Sequence, residues 1–442
     1  MDHLYSWNWV EAQVLETAAM WNASEARSLP DAPRYTVREQ QKREKAWDEA
    51  LRTVERELRR ARRHRSRSGR REIQQRVTFA FARFSATALD LPDDAIALLT
   101  QDFLPAGTQL ARWARQFDPG LSMPDIIQAC RNAWTACGLQ PLLGMPVALT
   151  PSILGYSLLY PYSDNYLDGE DVTAESKLEF SRRFRQRLQG EAIAPANTRE
   201  GALWALVELV ERQYPRSTYP DVFDCLLAIH RAQEGSIAQV NSRGSDAELL
   251  RMSCAKGGTS VLADGCLARG WLSEDESRFS FEWGVLLQLG DDLQDVREDL
   301  HRGSVTLFSR AAISGQLLDA RVIQLLTFAE RVGDHMEQLP HGGAMLKNLL
   351  RMSWRSLILM AVAASHEHFS RPFLDEAEQF SPFRFAFLRE RREKLTARHG
   401  LYAMLFDAFV APEESEDDTG LPIFGILRYE PRSAFSAEMP PV

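Results

Sequence analysis

Two aspartates, Asp164 and Asp168, lie four residues apart in an apolar segment with the sequence SLLYPYSDNYLDGED. On a helix, side chains at this spacing share a face with their Cβ atoms about 5–6 Å apart, so the two carboxylates repel each other unless a cation lies between them. Gly169 follows Asp168 directly and is typical of a helix end, where a site can open to solvent. An ordinary acidic helix end has the same pattern. The pair alone therefore does not predict a metal site, and a second cluster of carboxylates is needed to support one.

That second cluster consists of four aspartates that follow an apolar run, in the segment QLGDDLQDVREDL. Helical periodicity predicts that Asp292, Asp295 and Asp299, or else Asp291, Asp295 and Asp299, form one stripe along a helix face. A buried stripe of unpaired carboxylates costs several kcal/mol or forces protonation. Mg²⁺ relieves such repulsion, and it usually takes one or two protein carboxylates, with substrate phosphate and water as its other ligands. The two clusters together favour a site for metal and diphosphate over a structural ion network.

Other kinds of chemistry lack a motif. The five cysteines form no CxxC pair and have no neighbouring histidines, which argues against a disulfide framework or a zinc knuckle and favours a cytoplasmic location. Neither GxGxxG nor GxxxxGK[ST] occurs, so no nucleotide site of those kinds is predicted. The net charge of −9 does not favour nucleic acid as a partner. The longest apolar run, residues 357–364, is shorter than the roughly 20 residues that a membrane helix needs.

The elements that position the aspartates are expected to be helices. Apolar residues recur with the 3.6-residue period along almost all of the 442 residues, and alternating β-branched runs are scarce, which predicts an all-α fold. Composition divides the chain into three segments. These are a charged helical N-terminal extension at 1–73, a main helical domain at 74–410, and an acidic, proline-containing tail at 411–442.

The extension ends in a basic block, Arg59–Arg71, which contains eight arginines and no acid. The block could make a peripheral contact with an anionic membrane surface, or bind RNA. Because charge runs are usually solvated, a helix end or a connector in solvent is the favoured interpretation. Removing residues 1–73 without any change in lipid or RNA binding would exclude the functional interpretation.

Over about residues 155–310 these motifs resemble the class I isoprenoid synthases, all-α enzymes that include polyprenyl diphosphate, squalene and phytoene synthases and terpene cyclases. DNYLDG is similar to the first aspartate motif of the squalene and phytoene branch, and LEFSRRFRQRLQG to the arginine-rich helix after it. QLGDDLQD is similar to the QxxDDxxD of polyprenyl synthases, whereas DVREDLHRGSVTLF is similar to the second motif of phytoene synthases. AKGGTSVLADG is similar to the kinked helix of small residues above the cavity. The resemblance implies an isoprenoid synthase-type helical bundle around a central apolar cavity.

The resemblance also implies a metal-dependent reaction. An allylic prenyl diphosphate would lose its diphosphate as a carbocation forms, and Mg²⁺, three ions together with the diphosphate, would neutralise the leaving charge. The implied metal ligands are Asp164 and Asp168 on one wall and Asp291, Asp292, Asp295 and Asp299 on the other, of which Asp164, Asp168, Asp295 and Asp299 are the implied catalytic set.

The diphosphate oxygens need cationic partners, and Lys256, Arg182 and Arg231 are the candidates. For each arginine an ordinary surface pair is an equal alternative. Aromatic rings below the metals would shield or stabilise a cation by about 0.5–2 kcal/mol each, although core packing is the commoner role of any single ring. The aromatic candidates are Tyr160, Tyr166 and Trp283.

Departures from the family patterns bear on which reaction it is. Chain-elongating synthases carry a Gly-Gly-Lys-Arg type motif for a second diphosphate, whereas Lys177 is the only lysine between residues 74 and 255. Squalene and phytoene synthases usually place basic residues before the first motif, where this chain has YPYS. A single substrate that ionises and then cyclises, eliminates or captures water is therefore favoured, which is terpene synthase chemistry. Because the second motif lacks an Asn-Ser-Glu type triad, head-to-head prenyl transfer stays the alternative.

A third alternative is a non-catalytic module that binds a prenyl lipid or a partner protein, with the basic block as its docking surface. Six aspartates beside an apolar cavity count against it. Helical synthases of this type often form dimers, and by that analogy alone a homodimer is a candidate assembly.

Overall fold

The structure is a computed structural model that describes residues 5–61, 67–167, 172–239 and 244–397, together with Ala403, Phe406 and Val410. Within these ranges every regular element is a helix, which confirms the all-α prediction. None of the helices in them combines the length and the apolar character that crossing a bilayer requires. The predicted tail at 411–442 and residues 62–66 of the basic block lie outside the described residues.

The helices follow one another with short connections. In chain order they are α1 (Trp7–Asn22), α2 (Val37–Ala61), α3 (Arg67–Ala88), α4 (Asp93–Leu98), α5 (Leu104–Phe117), α6 (Met123–Leu142), α7 (Pro151–Leu167), α8 (Ala174–Leu188), α9 (Thr198–Gln213), α10 (Pro220–Gln239), α11 (Asp246–Arg269), α12 (Glu274–Gln294), α13 (Val296–Arg302), α14 (Leu307–Ile313), α15 (Asp319–Gln338), α16 (Gly343–Ala364), α17 (Arg371–Ala377) and α18 (Phe385–Ala397). A π-helical turn, Leu99–Phe103, joins α4 to α5, and the short 3₁₀ turns His366–His368 and Glu378–Phe380 flank α17.

Local sequence signals fix the ends of the two helices that carry most of the candidate site. Ser245 begins α11 and Ser273 begins α12, each in a capping box with the glutamate three residues later. α11 ends at Gly270, whose φ of 94° is a left-handed conformation that glycine adopts without strain. These caps set the ends of α11 and α12, and the short turn between the two helices makes them an antiparallel pair.

α11 and α12 form the centre of the molecule and touch backbone to backbone. A Cβ atom added to Gly284 would lie 2.0 Å from the carbonyl oxygen of Gly257, so only glycine permits this approach. Around the pair pack α1, α6, α7, α10, α14, α15 and α16. The buried faces of these helices form one continuous apolar core.

The chain before residue 74 takes part in this core. Val10 and Trp21 of α1 are almost completely buried, and the Tyr5 hydroxyl lies 2.8 Å from Ser277 Oγ at the start of α12. The predicted boundary at residue 73 falls within α3, which pairs with α2 as a helical hairpin. The division of the chain into an extension and a main domain at 74–410 stays a prediction.

The hairpin of α2 and α3 is attached to the C-terminal helices. Glu44 of α2 forms a bidentate ion pair with Arg384, with Nη2 at 2.5 Å from Oε2. Trp47 packs edge-on against Phe383 and Phe387. α2 is thus an amphipathic helix with one face docked, rather than one exposed on all sides.

Candidate active site

A cavity of about 760 Å³ lies among α6, α7, α8, α10, α11, α12 and α16, and reaches the α2–α3 hairpin at Trp47 and Phe84. Its wall is largely aliphatic and aromatic, with a few polar groups among them. The apolar lining includes Tyr156, Leu159, Phe184, Val261, Trp283 and Leu286. An isoprenoid synthase-type arrangement of the bundle around this cavity stays a prediction.

The second aspartate cluster lies where α12 gives way to α13. α12 ends at Gln294 and α13 begins at Val296, with Asp295 between them at φ −94° and ψ 5°. Neither predicted set, Asp292, Asp295 and Asp299 or Asp291, Asp295 and Asp299, therefore lies on one uninterrupted helix. The aspartates remain close enough to influence one another, because Asp292 and Asp295 both raise the pKa of Asp299.

Asp292 turns inward and is 7% exposed. Ser253 Oγ and Gln288 Nε2 donate hydrogen bonds to its two oxygens, at 2.7 and 2.8 Å. Burial raises the pKa of this carboxyl to about 6, while the two hydrogen bonds and the charge of Lys256 oppose the rise. Asp292 is thus an acid that titrates close to neutral pH.

Asp291, its neighbour, points to the rim of the cavity. Arg131 Nη2 of α6 donates to Asp291 Oδ1 at 2.8 Å, and both side chains are about half exposed. An ion pair this open to solvent contributes little to stability. It does place one cation and one anion at the same edge of the cavity.

Asp295 and Asp299 complete the cluster. Burial, and then the charge of Asp291, raises the pKa of Asp295 above its ordinary value. Burial, and then the charges of Asp292 and Asp295, raises the pKa of Asp299 to about 7. The hydroxyl of Thr306 donates to Asp299 at 3.3 Å. Mutual repulsion among these acids is the condition that a bound cation would relieve.

The cluster fits a hard divalent cation in its donor atoms. Within the described ranges no three acidic, histidine or cysteine side chains converge on one point to hold an ion. Mg²⁺ does not need such a cage, because one or two carboxylates suffice when phosphate and water supply its other ligands. Asp295 and Asp299 are the side chains here that would hold the ion, since Asp291 is paired with Arg131 and Asp292 is already hydrogen-bonded.

The surroundings of the two aspartates of the first motif are not described as those of the second motif are. α7 carries Asp164 in its last turn, but the Asp164 side chain is outside the described part of the chain, as is the whole of Asp168. The opposing wall of metal ligands therefore stays a prediction.

The three predicted diphosphate-binding residues have different surroundings. Lys256 lines the cavity on α11 and acts electrostatically on Asp292. Arg182 is exposed on α8, where it pairs with Glu179 at 2.7 Å and Gln186 at 3.0 Å. The Arg231 guanidinium lies over the ring of Trp7, 4.3 Å from its centroid. Of the three, the structure brings only Lys256 to the second cluster.

The three predicted aromatic residues also differ in whether they line the cavity. Trp283 is buried, lines the cavity and packs against Trp354 with ring centroids 5.7 Å apart. Tyr166 packs between Phe180 and the guanidinium of Arg199, and it is not part of the cavity wall. The side chain of Tyr160 falls outside the described residues.

Two further polar groups of the cavity escape sequence reasoning. Arg131 reaches Asp291 across 160 positions of the sequence, and no spacing rule connects two residues so far apart. Asp264 lines the cavity on α11, 1% exposed. A signal for Asp264 exists in the sequence, since VLADGCLA places one acid inside an apolar helical run.

Comparisons with known proteins do not assign a family. No family model matches the chain, and neither a curated protein nor a solved structure matches it. The resemblance to the class I isoprenoid synthases therefore rests on the motifs and on the chemistry of the site.

Proposed function

We propose that this protein is a Mg²⁺-dependent class I isoprenoid enzyme that ionises an allylic prenyl diphosphate, and within that class a terpene synthase. One observation carries the proposal. The apolar cavity of about 760 Å³ has Arg131, Lys256 and Asp291 near the C-terminal end of α12, beside the aspartate cluster, whereas its other described acid, Asp264, lies farther along α11. A ligand with an anionic head and a long hydrocarbon tail matches such a cavity.

In this proposal the protein groups divide the work. Lys256 and Arg131 bind diphosphate oxygens, and Asp295 and Asp299, with Asp164 and Asp168 expected opposite them, hold Mg²⁺. The metal supplies electrostatic stabilisation of the charge that develops on the leaving diphosphate. The apolar wall excludes water from the carbocation, and the rings of Trp283 and Tyr156 offer it their π-electrons.

The charge count in the cavity favours one diphosphate over two. Among the described lining residues the arginines and lysines are Arg131 and Lys256. Two diphosphates would bring together about twice the negative charge with the same two cations. Cyclisation, elimination or water capture of one substrate therefore fits the lining better than coupling of two.

The test is to incubate the purified protein with Mg²⁺ and C10 to C30 prenyl diphosphates, and to analyse released diphosphate and hydrocarbon products. The wild type is expected to release diphosphate and give products with the carbon number of the substrate. Asp295→Asn, which removes one metal ligand, is expected to lower the rate at least about 100-fold, the scale of losing one key electrostatic group. Asp275→Asn is the matched control, because Asp275 is an exposed acid on the first turn of α12, the helix that ends just before Asp295.

The assay also separates the alternatives. Products of doubled carbon number would select head-to-head transfer. Absence of diphosphate release at every chain length, with binding retained, would select a prenyl-lipid binding module. A wild-type rate in Asp295→Asn would refute the assignment of the site.

A further inference from the structure

Asp264 differs from the buried glutamates of the described residues, and shares with Asp292 the lack of a basic partner within hydrogen-bond reach. Each of five buried glutamates has a basic partner within 4.0 Å. Asp264, within the described residues, has no lysine, arginine or histidine at that distance, and burial is the cause that raises the pKa of its carboxyl well above the ordinary value. The five pairs are Glu44–Arg384, Glu57–Arg56, Glu200–Arg183, Glu276–Arg269 and Glu282–His335.

The position of Asp264 is fixed by an uncharged neighbour. With its amide nitrogen turned toward the carboxyl group, Asn132 of α6 lies 3.0 and 2.9 Å from the two oxygens. The residue is 1% exposed, yet it belongs to the wall of the cavity. An acid with an amide neighbour and no basic partner within 4.0 Å therefore borders a space large enough for a ligand.

None of the basic side chains described in the cavity wall lies within 4.0 Å of the Asp264 carboxyl group. Lys256 is on the same helix but eight residues earlier, which corresponds to about 12 Å of helix rise. Arg131 is paired with Asp291, and the Nε2 atom of His230 lies 3.0 Å from the carbonyl oxygen of Ser181. On α6, Cys137 also lies close to Asp264, and burial keeps that thiol uncharged at neutral pH by raising its pKa to about 12.

We propose that Asp264 is the counter-ion for a lipophilic cation that binds in the apolar cavity. The aromatic residues Tyr156, Trp283 and Trp354 line the same cavity and suit a cation of this kind. If the proposed function holds, the natural cation is the carbocation of the reaction, about 12 Å along α11 from the diphosphate end at Lys256. Only the identity of the natural ligand rests on the proposed function.

Cation binding and ionisation of Asp264 are coupled. Burial disfavours the charged form of the Asp264 carboxyl group and raises its pKa well above the ordinary value. A bound cation stabilises the carboxylate, so the proton leaves to solvent as the ion pair forms. Cation binding is therefore expected to release protons from Asp264.

The experiment uses the full-length protein and decyltrimethylammonium below its micellar concentration, with 1-decanol as the uncharged probe. Calorimetric titrations at pH 7 in buffers of different ionisation enthalpy count the protons released. A quaternary ammonium has no proton to lose, so any release comes from the protein. We expect the wild type to release protons on binding the ammonium, and Asp264→Asn to release none and bind at least about tenfold more weakly, the factor for one unit of pKa.

Two further variants keep the outcome interpretable. Glu282→Gln neutralises another buried acid, one paired with His335 outside the cavity wall, and is expected to leave ammonium binding unchanged. Asp264→Glu keeps the charge and is expected to keep the proton release even if the cavity shape changes. Circular dichroism checks that each variant is folded.

Equal binding of decanol and the ammonium, or proton release that survives in Asp264→Asn, would overturn the proposal. This outcome is independent of catalysis. Ammonium binding with proton release but no diphosphate turnover would refute the proposed function alone, whereas turnover without ammonium preference would refute the counter-ion alone.

Discussion

Asp291 and Asp292 are neighbours in the chain, yet they have opposite surroundings. Asp291 reaches the rim and an arginine, whereas Asp292 is buried against Ser253 and Gln288. The same residue type thus gives a half-exposed partner of an arginine at one position and a buried acid with a pKa of about 6 at the next. Sequence spacing identifies both as candidates, but only the packing of α11 and α6 against α12 separates their roles.

Burial of Asp292 makes stability depend on pH in a defined direction. Its pKa is 3.8 in an unfolded chain and about 6 in the folded protein, so the folded state holds a proton that the unfolded state has lost. The stability from this group is complete below about pH 4 and disappears as the pH rises through 6. Between pH 4 and pH 8 the free energy of unfolding of the metal-free wild type is expected to fall by up to about 3 kcal/mol more than that of Asp292→Asn. This figure follows from a difference of about two pKa units between the folded and unfolded states.

Urea unfolding at each pH, without metal, measures this difference. Asp275→Asn, an exposed acid on the same helix, is expected to follow the wild-type profile. Asp299, with a pKa of about 7, adds to the same trend, so the Asp292 variant reduces the slope without abolishing it. Parallel profiles for the wild type and Asp292→Asn would show that the Asp292 carboxyl is not desolvated.

At the scale of elements, the contact between α11 and α12 decides where the site residues stand. Gly257 and Gly284 allow the two backbones to touch, which brings Lys256 and Ser253 of one helix level with the last turns of the other. Dispersion and apolar burial along such a close contact favour the pair, since interiors of proteins are tightly packed. The aspartate cluster is thereby held against α11.

Alanine at this contact is expected to destabilise the protein. In Gly284→Ala the new Cβ would lie 2.0 Å from the Gly257 carbonyl oxygen, so the helices must separate, at a cost of about 1–3 kcal/mol. Gly235→Ala is the control, because a Cβ there meets nothing within 4 Å and alanine favours a helix by about 0.5–1 kcal/mol. Urea denaturation gives both values. Equal stability of the two variants would contradict the close contact.

The elements themselves were largely predictable, but their breaks were not. The serines before α11 and α12 signal the helix starts, and Gly270 signals an end. The break at Asp295 has no such signal, because QLGDDLQDVREDL contains neither a proline nor a glycine after Gly290. A periodicity argument therefore extends one helix through residues 291–299, where the structure has α12 and α13 with Asp295 between them.

At the scale of the whole molecule, the cavity wall combines residues from almost the full length of the chain. Trp47 of α2 and Phe383 before α18 line the same cavity and touch each other, although 336 positions lie between them. Partners so distant leave no local pattern in the sequence. Residues 35–64 are rich in Glu, Lys, Arg and Ala with few apolar positions, a composition that predicts an exposed helix, whereas the structure docks one face of α2 against Phe383 and Phe387.

The first helix belongs to the cooperative core for the same reason. Trp21 is 1% exposed, its ring lies edge-on to Phe328 at 5.8 Å, and its carbonyl oxygen accepts a hydrogen bond from Gln324 at 2.9 Å. Both partners are on α15, about 300 positions later. Residues before 74 therefore hold the C-terminal half of the bundle in place.

Trp21→Ala is expected to reduce the free energy of unfolding by about 3–5 kcal/mol, because it leaves a large void between α1 and α15. Leu15→Ala removes a side chain that is 54% exposed on the same helix, so it is expected to change stability by less than about 0.5 kcal/mol. Both substitutions introduce alanine into α1, and both are measured by urea unfolding followed by circular dichroism. If both variants lower the free energy of unfolding by the same small amount, α1 unfolds without the rest of the protein. That result would support the predicted boundary at residue 73. A large loss from Trp21→Ala alone places α1 in the same cooperative unit as the cavity.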